Sequence, residues 1–119
     1  MDVAAQMPAN AYNFRPVETV WNFGELLHHI AYGIQWWGDN YIRGTETPWA
    51  PPSAKANKKD VIAYLEQAYG SLKELISKQS MNEEAVKGFH ATIDHITHHR
   101  GQAVLHLRCK GIAPPEYMY

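Results

Sequence analysis

Prolines and glycines cut this chain into segments whose apolar residues recur every three or four positions, and that periodicity points to an all-α fold. Pro8 and Pro16 frame a non-helical lead-in. Asn22, with Glu25 three residues on, has the pattern of a capping box, and a helix is predicted from about Asn22 to Arg43, ended by Gly44. The next stretch, GTETPWAPPS, holds three prolines and no apolar period. It is expected to be an extended loop from which Trp49 packs back onto the body. Asn57 and Asp60 mark a second start, and Val61, Ile62, Leu65, Tyr69, Leu72, Leu75 and Ile76 give an amphipathic helix to about Lys78. Asn82, with Glu83 and Glu84 in the favourable first turn, begins a third helix that can run to Lys110 before Gly111 stops it. Nothing alternates with the period of two that marks a sheet. The segment DVAAQM before Pro8 is enough for only the last turns of a fourth helix, so the bundle is expected to have a truncated first helix.

With 119 residues the chain is expected to form one domain, residues 1–119. Its net charge of -1 is spread evenly and offers no basic stripe, which argues against nucleic acid as a partner. The single cysteine, Cys109, cannot form an internal disulfide, so a reducing, cytoplasmic setting is expected, with the thiol buried and inert. No basic start followed by an apolar run opens the chain, and no apolar run reaches the ~18 residues of a membrane helix. No membrane association is expected.

The compositional oddity is seven histidines. On the last helix Val86, Phe89, Ile93, Ile96, Ala103, Val104 and Leu107 read as the apolar stripe, with His95, His99, Gln102 and His106 as a second stripe beside it. His98 points elsewhere, to water, and Asp94 points away from the ligand stripe. The i, i+4 pair His95 and His99 places two imidazoles one turn apart, able to reach one ion at about 2.0–2.1 Å. On the helix from about Asn22 to Arg43 the core direction set by Phe23, Leu26, Ile30, Ile34, Trp37 and Tyr41 leaves His29 on its flank and turns His28 nearly away. Three neutral imidazoles, His29, His95 and His99, would leave an open coordination position, as in catalytic sites. The plainer reading is a pair of surface histidines on a helix.

From His95 the chain reads HITHHRGQAVLHLRCKGIAPPEY. It resembles the closing segment of the DinB-like (DinB/YfiT-type) metalloprotein family in an H-x-x-x-H-R-G-Q core, a leucine-rich turn ending in L-R, a glycine and a Pro-Pro-x-Tyr tail. Here these are His95, His99, Arg100, Gly101, Gln102, Leu107, Arg108, Gly111, Pro114, Pro115 and Tyr117. Upstream, Phe14-Arg15-Pro16 leads to a helix whose ligand position aligns with His29. The resemblance implies an up-down four-helix bundle with one long crossover and a divalent ion, nickel or zinc, on three histidines. It also implies kinship with metal-dependent transferases and isomerases that use low-molecular-weight thiols such as bacillithiol, mycothiol or glutathione.

Gln102 and His106 are candidates to support a ligand imidazole or hold a water, or else they pack at the bundle edge. Tyr32 and Trp36 are candidates to line a pocket beside His29, or else belong to the core. Arg100, near the apolar stripe, reads as structural. No Glu or Asp lies on the ligand stripe as a general base, so no catalytic residue is assigned. Two functions are carried forward. One is a metal-dependent transferase or hydrolase that activates a thiol or water for a small-molecule substrate. The other is a non-catalytic, metal-stabilised stress or interaction module. The uncovered core surface left by a short first helix predicts a homodimer.

Overall fold

A computed structural model describes residues 2–54 and 57–116, and its regular structure there is wholly helical. Helix α1 is Asp2–Gln6, α2 is Phe23–Trp37, α3 is Lys58–Lys78 and α4 is Glu83–Cys109. A 3₁₀ turn, Ala9–Ala11, follows α1, and a π-helical turn, Gly38–Ile42, extends α2. Tyr117 lies outside the described residues.

Each long helix starts where an asparagine side chain accepts a backbone N–H. Asn22 accepts from Glu25, whose carboxylate in turn accepts from the Asn22 N–H at 3.0 Å, completing the capping box. Asn57 accepts from Asp60 and Asn82 from Ala85, both at 2.8 Å. Gly44 and Gly111, both at φ 79°, supply the left-handed stops.

The core forms where α2 packs between α3 and α4. On α3 Val61, Leu65, Ala68, Leu72 and Leu75 are buried at helical spacing. A leucine taken fully out of water contributes about 1.5–3 kcal/mol, so this stripe holds α3 in place. The five-residue α1 is too short to persist alone. Its carbonyls are satisfied from outside: Tyr12 Oη donates to Ala4 O at 2.6 Å, and Lys58 Nζ donates to Ala5 O and Met7 O at 2.8 and 2.9 Å. Val3, Ala4 and Met7 are buried beneath it.

Four expectations are corrected. The second helix changes winding after Trp37, because its last turn is π rather than α. That turn is pressed against α4, where a Cβ on Gly88 would lie 2.2 Å from Tyr41 Cβ. The buried side of α4 accordingly runs through small residues, Ala85, Gly88, Thr92 and Ala103, which permit close approach, before it reaches His106 and Leu107 in the last turns, while Val86 and Ile93 stand 39% and 43% exposed. His28 is buried rather than turned away, with its ring 5.0 Å from that of Tyr64. Cys109 is exposed at the last turn of α4. The loop after α2 is extended as expected, and no described helix is long and apolar enough to cross a membrane.

Candidate metal centre

His29 on α2 and His95 and His99 on α4 come together, with one nitrogen from each within 4.8 Å of the others. The i, i+4 spacing on α4 puts the His95 and His99 rings 4.6 Å apart. Close packing of α2 on α4 brings His29 Nε2 to 3.0 Å from His95 Nε2. That approach is possible because residue 33 is glycine: a Cβ there would sit 2.3 Å from His95 Cε1.

All three imidazoles are half-buried and held toward the neutral state. Burial, then the neighbouring His99 and His28, push His29 down to about 4. Burial, then His99, His29 and His98, push His95 down to about 4. Burial also lowers His99, with His98 adding to the effect and the Gln102 hydrogen bond opposing it. Neutral imidazoles are the form that binds metal.

The residues fit a divalent ion on further grounds. Two nitrogens at about 2.0–2.1 Å from one ion stand roughly 3–3.4 Å apart, and the His29–His95 pair is at 3.0 Å. His99 Nδ1 donates to Gln102 Oε1 at 2.7 Å, which fixes the tautomer and leaves the Nε2 lone pair available. His95 Nδ1 is buried with no hydrogen-bond partner, so in the protein alone a ring proton lies in the His95–His29 contact, and it would have to shift to the far nitrogen of its ring for both Nε2 atoms to hold an ion. Three imidazoles suit zinc, nickel, cobalt or iron, with no thiolate or carboxylate to select among them.

The candidate supporting residues divide. Gln102, exposed on α4, accepts from His99 Nδ1. His106 is buried and reaches no ligand histidine. Its Nδ1 faces Gln102 O at 2.8 Å and its Nε2 faces Trp21 O at 2.9 Å, so it ties the segment before α2 to α4. Tyr32 and Trp36 are half-buried outside the core and line a small cleft with Gln35, Asp39, Thr47, Pro48 and Ala50. They clamp the loop after α2: Tyr32 Oη accepts from Ala50 N at 2.8 Å, and Trp36 Nε1 donates to Thr47 O and Pro48 O at 3.1 and 3.2 Å. His98 and Asp94 are exposed, as expected. Arg100 is half-buried beside Tyr69, whose pKa burial raises and Arg100 lowers.

Two aromatic residues that periodicity did not nominate cover the centre. The Trp21 ring lies 4.4 Å from that of His29 and 6.0 Å from that of His99. The Trp49 ring meets His29 edge-on at 5.6 Å and also packs on Tyr32 and Trp36. Trp49 does pack back as its loop position predicted. Trp21 stands just ahead of a helix cap, outside any periodic segment, and its only sequence signal was proximity to the capping box.

A protein-family model described as the DinB superfamily matches residues 1–106. No curated protein matches the chain at a significant level. The helical bundle, the convergence of three histidines and a family match spanning most of the 119 residues lead to one assignment: this chain belongs to the DinB superfamily.

Proposed function

We propose that the protein is a metal-dependent transferase or hydrolase whose single divalent ion, zinc or nickel, is held by His29, His95 and His99. The observation that carries this reading is the gathering of three imidazoles, biased to the neutral form, within 4.8 Å. When bound, the ion supplies Lewis-acid activation of a thiol or water at its open coordination position.

The chain's own residues do the rest. Gln102 keeps His99 in the tautomer that offers Nε2. Trp21 and Trp49 screen His29 from water on two sides, which strengthens electrostatic interactions at the centre. Among the described residues no carboxylate joins the three histidines in the cluster, so the reacting group itself, thiol or water, carries the proton to be lost. A low-molecular-weight thiol fits that requirement, because a lowered thiol pKa removes the need for a protein base.

The test is consumption of a thiol such as glutathione, bacillithiol or mycothiol in the presence of small electrophiles, before and after chelation. Chelator-sensitive turnover restored by zinc or nickel is expected. A protein that melts at lower temperature on chelation, with no turnover on any thiol or by hydrolysis, would instead be a metal-stabilised, non-catalytic module.

A further inference from the structure

Beside His99 the segment before α2 and the outer face of α4 enclose a half-open cleft of about 520 Å³. Its walls include Val17, Val20, Trp21 and Leu105, exposed at 56%, 38%, 46% and 57%. Single exposed apolar side chains need no explanation, but four converging on one concavity do. His99, Gln102 and His106 line the α4 side of the same cleft, and Thr19 is the polar residue on the other side. Among the described residues no Asp, Glu, Lys or Arg lines it.

We infer that this cleft binds the uncharged, apolar body of the second substrate, with that substrate's polar end at the Gln102 amide beside His99. The inference rests on the proposed metal-dependent reaction and says which of two reactants lies where. A low-molecular-weight thiol carries several charges, and a charged body placed in this cleft would lose water with no counter-ion to replace it. The thiol therefore approaches from another side, and the cleft takes its apolar partner. The volume is that of a small-molecule site, within the usual ~300–1,000 Å³, and the polar groups are few, as such sites require.

The wall is also held in shape before any ligand arrives. Arg15 Nη1 donates to Val20 O at 3.1 Å and Arg15 Nη2 pairs with Glu25 Oε1 at 3.4 Å, while His106 Nε2 is bonded to Trp21 O at 2.9 Å. Side chains fixed in advance lose little freedom on binding.

The test is a titration with 2-naphthol followed by NMR shifts, with 2-naphthalenesulfonate as the charged counterpart and metal content measured on the same samples. Saturable shifts at Trp21, Val17 and Leu105 are expected, with the sulfonate at least tenfold weaker. Leu105→Glu, at an exposed position away from the ligands, should weaken 2-naphthol at least tenfold with metal content and melting temperature unchanged, and Leu105→Met should retain it. Equal binding by Leu105→Glu or by the sulfonate, or shifts elsewhere on the surface, would overturn the assignment. A metal-loaded protein that ignores 2-naphthol overturns the cleft assignment alone. A protein that binds 2-naphthol in the cleft but takes up no metal overturns the metal reading, leaving an apolar ligand site.

Discussion

The imidazole of His95 fills the space that a side chain on Gly33 would occupy: a Cβ there would lie 2.3 Å from His95 Cε1, 2.7 Å from Nδ1 and 3.0 Å from Nε2. The missing methyl group on α2 is what lets a ligand on α4 reach His29. Gly33→Ala must push the His95 ring aside or spread the two helices. We expect a loss of about 1–3 kcal/mol in denaturant unfolding, typical of overpacking, together with loss of bound metal. The gain in helix propensity, about 1 kcal/mol, acts in the opposite direction and is smaller than the clash.

Gln102 touches His99 and is exposed, so its side chain can be removed with little effect on the core. Gln102→Ala frees His99 to take either tautomer. Metal affinity measured by competition with a chromophoric chelator should fall about 10–100-fold, the usual effect of losing a group that orients a ligand, while the melting temperature of the metal-free protein stays the same.

His106 acts at a distance from the metal, through Trp21. His106→Ala removes the partner of Trp21 O at a part-buried contact, and the lost hydrogen bond costs about 0.5–1.5 kcal/mol. Indole emission should shift to the red as Trp21 leaves His29 and His99. Metal content should be kept, because none of the three ligand histidines is bonded to the His106 side chain.

The pH dependence follows from the depressed pKa values of His29 and His95, both at about 4 against an unfolded value near 6.5. Between those values the unfolded chain binds more protons than the folded one, so stability rises with pH. The contribution of the two neutral imidazoles is fully present above about pH 6.5 and is lost as pH falls toward 4. Urea unfolding of the metal-free protein should show that slope, and His29→Ala should flatten it. A flat profile from pH 4 to 7 would contradict it.

Much of this arrangement was legible in the residues. Asparagine caps at 22, 57 and 82 and glycines at 44 and 111 set helix ends by local hydrogen bonding and backbone freedom, which act over a few residues and leave a clear pattern. The pair His95 and His99 follows from helical spacing alone, and His29 from its angle on α2. What periodicity misjudged depends on how helices meet. Close contact at Gly33 and Gly88 rotates the buried side of α4 onto small residues, so Val86 and Ile93 face outward although they are apolar. His28 is buried because α3 covers a side of α2 that reads as polar in isolation. Trp21 and the clamp made by Tyr32 and Trp36 rest on loop contacts, which carry no period to read.

The most direct test of the central claim is the metal content of the purified protein by elemental mass spectrometry, beside His29→Ala and His99→Ala. One divalent ion per chain in the wild type, and almost none in either variant, is the predicted result. No ion in the wild type after reconstitution with zinc or nickel, or equal content in the variants, would contradict a centre built on His29, His95 and His99.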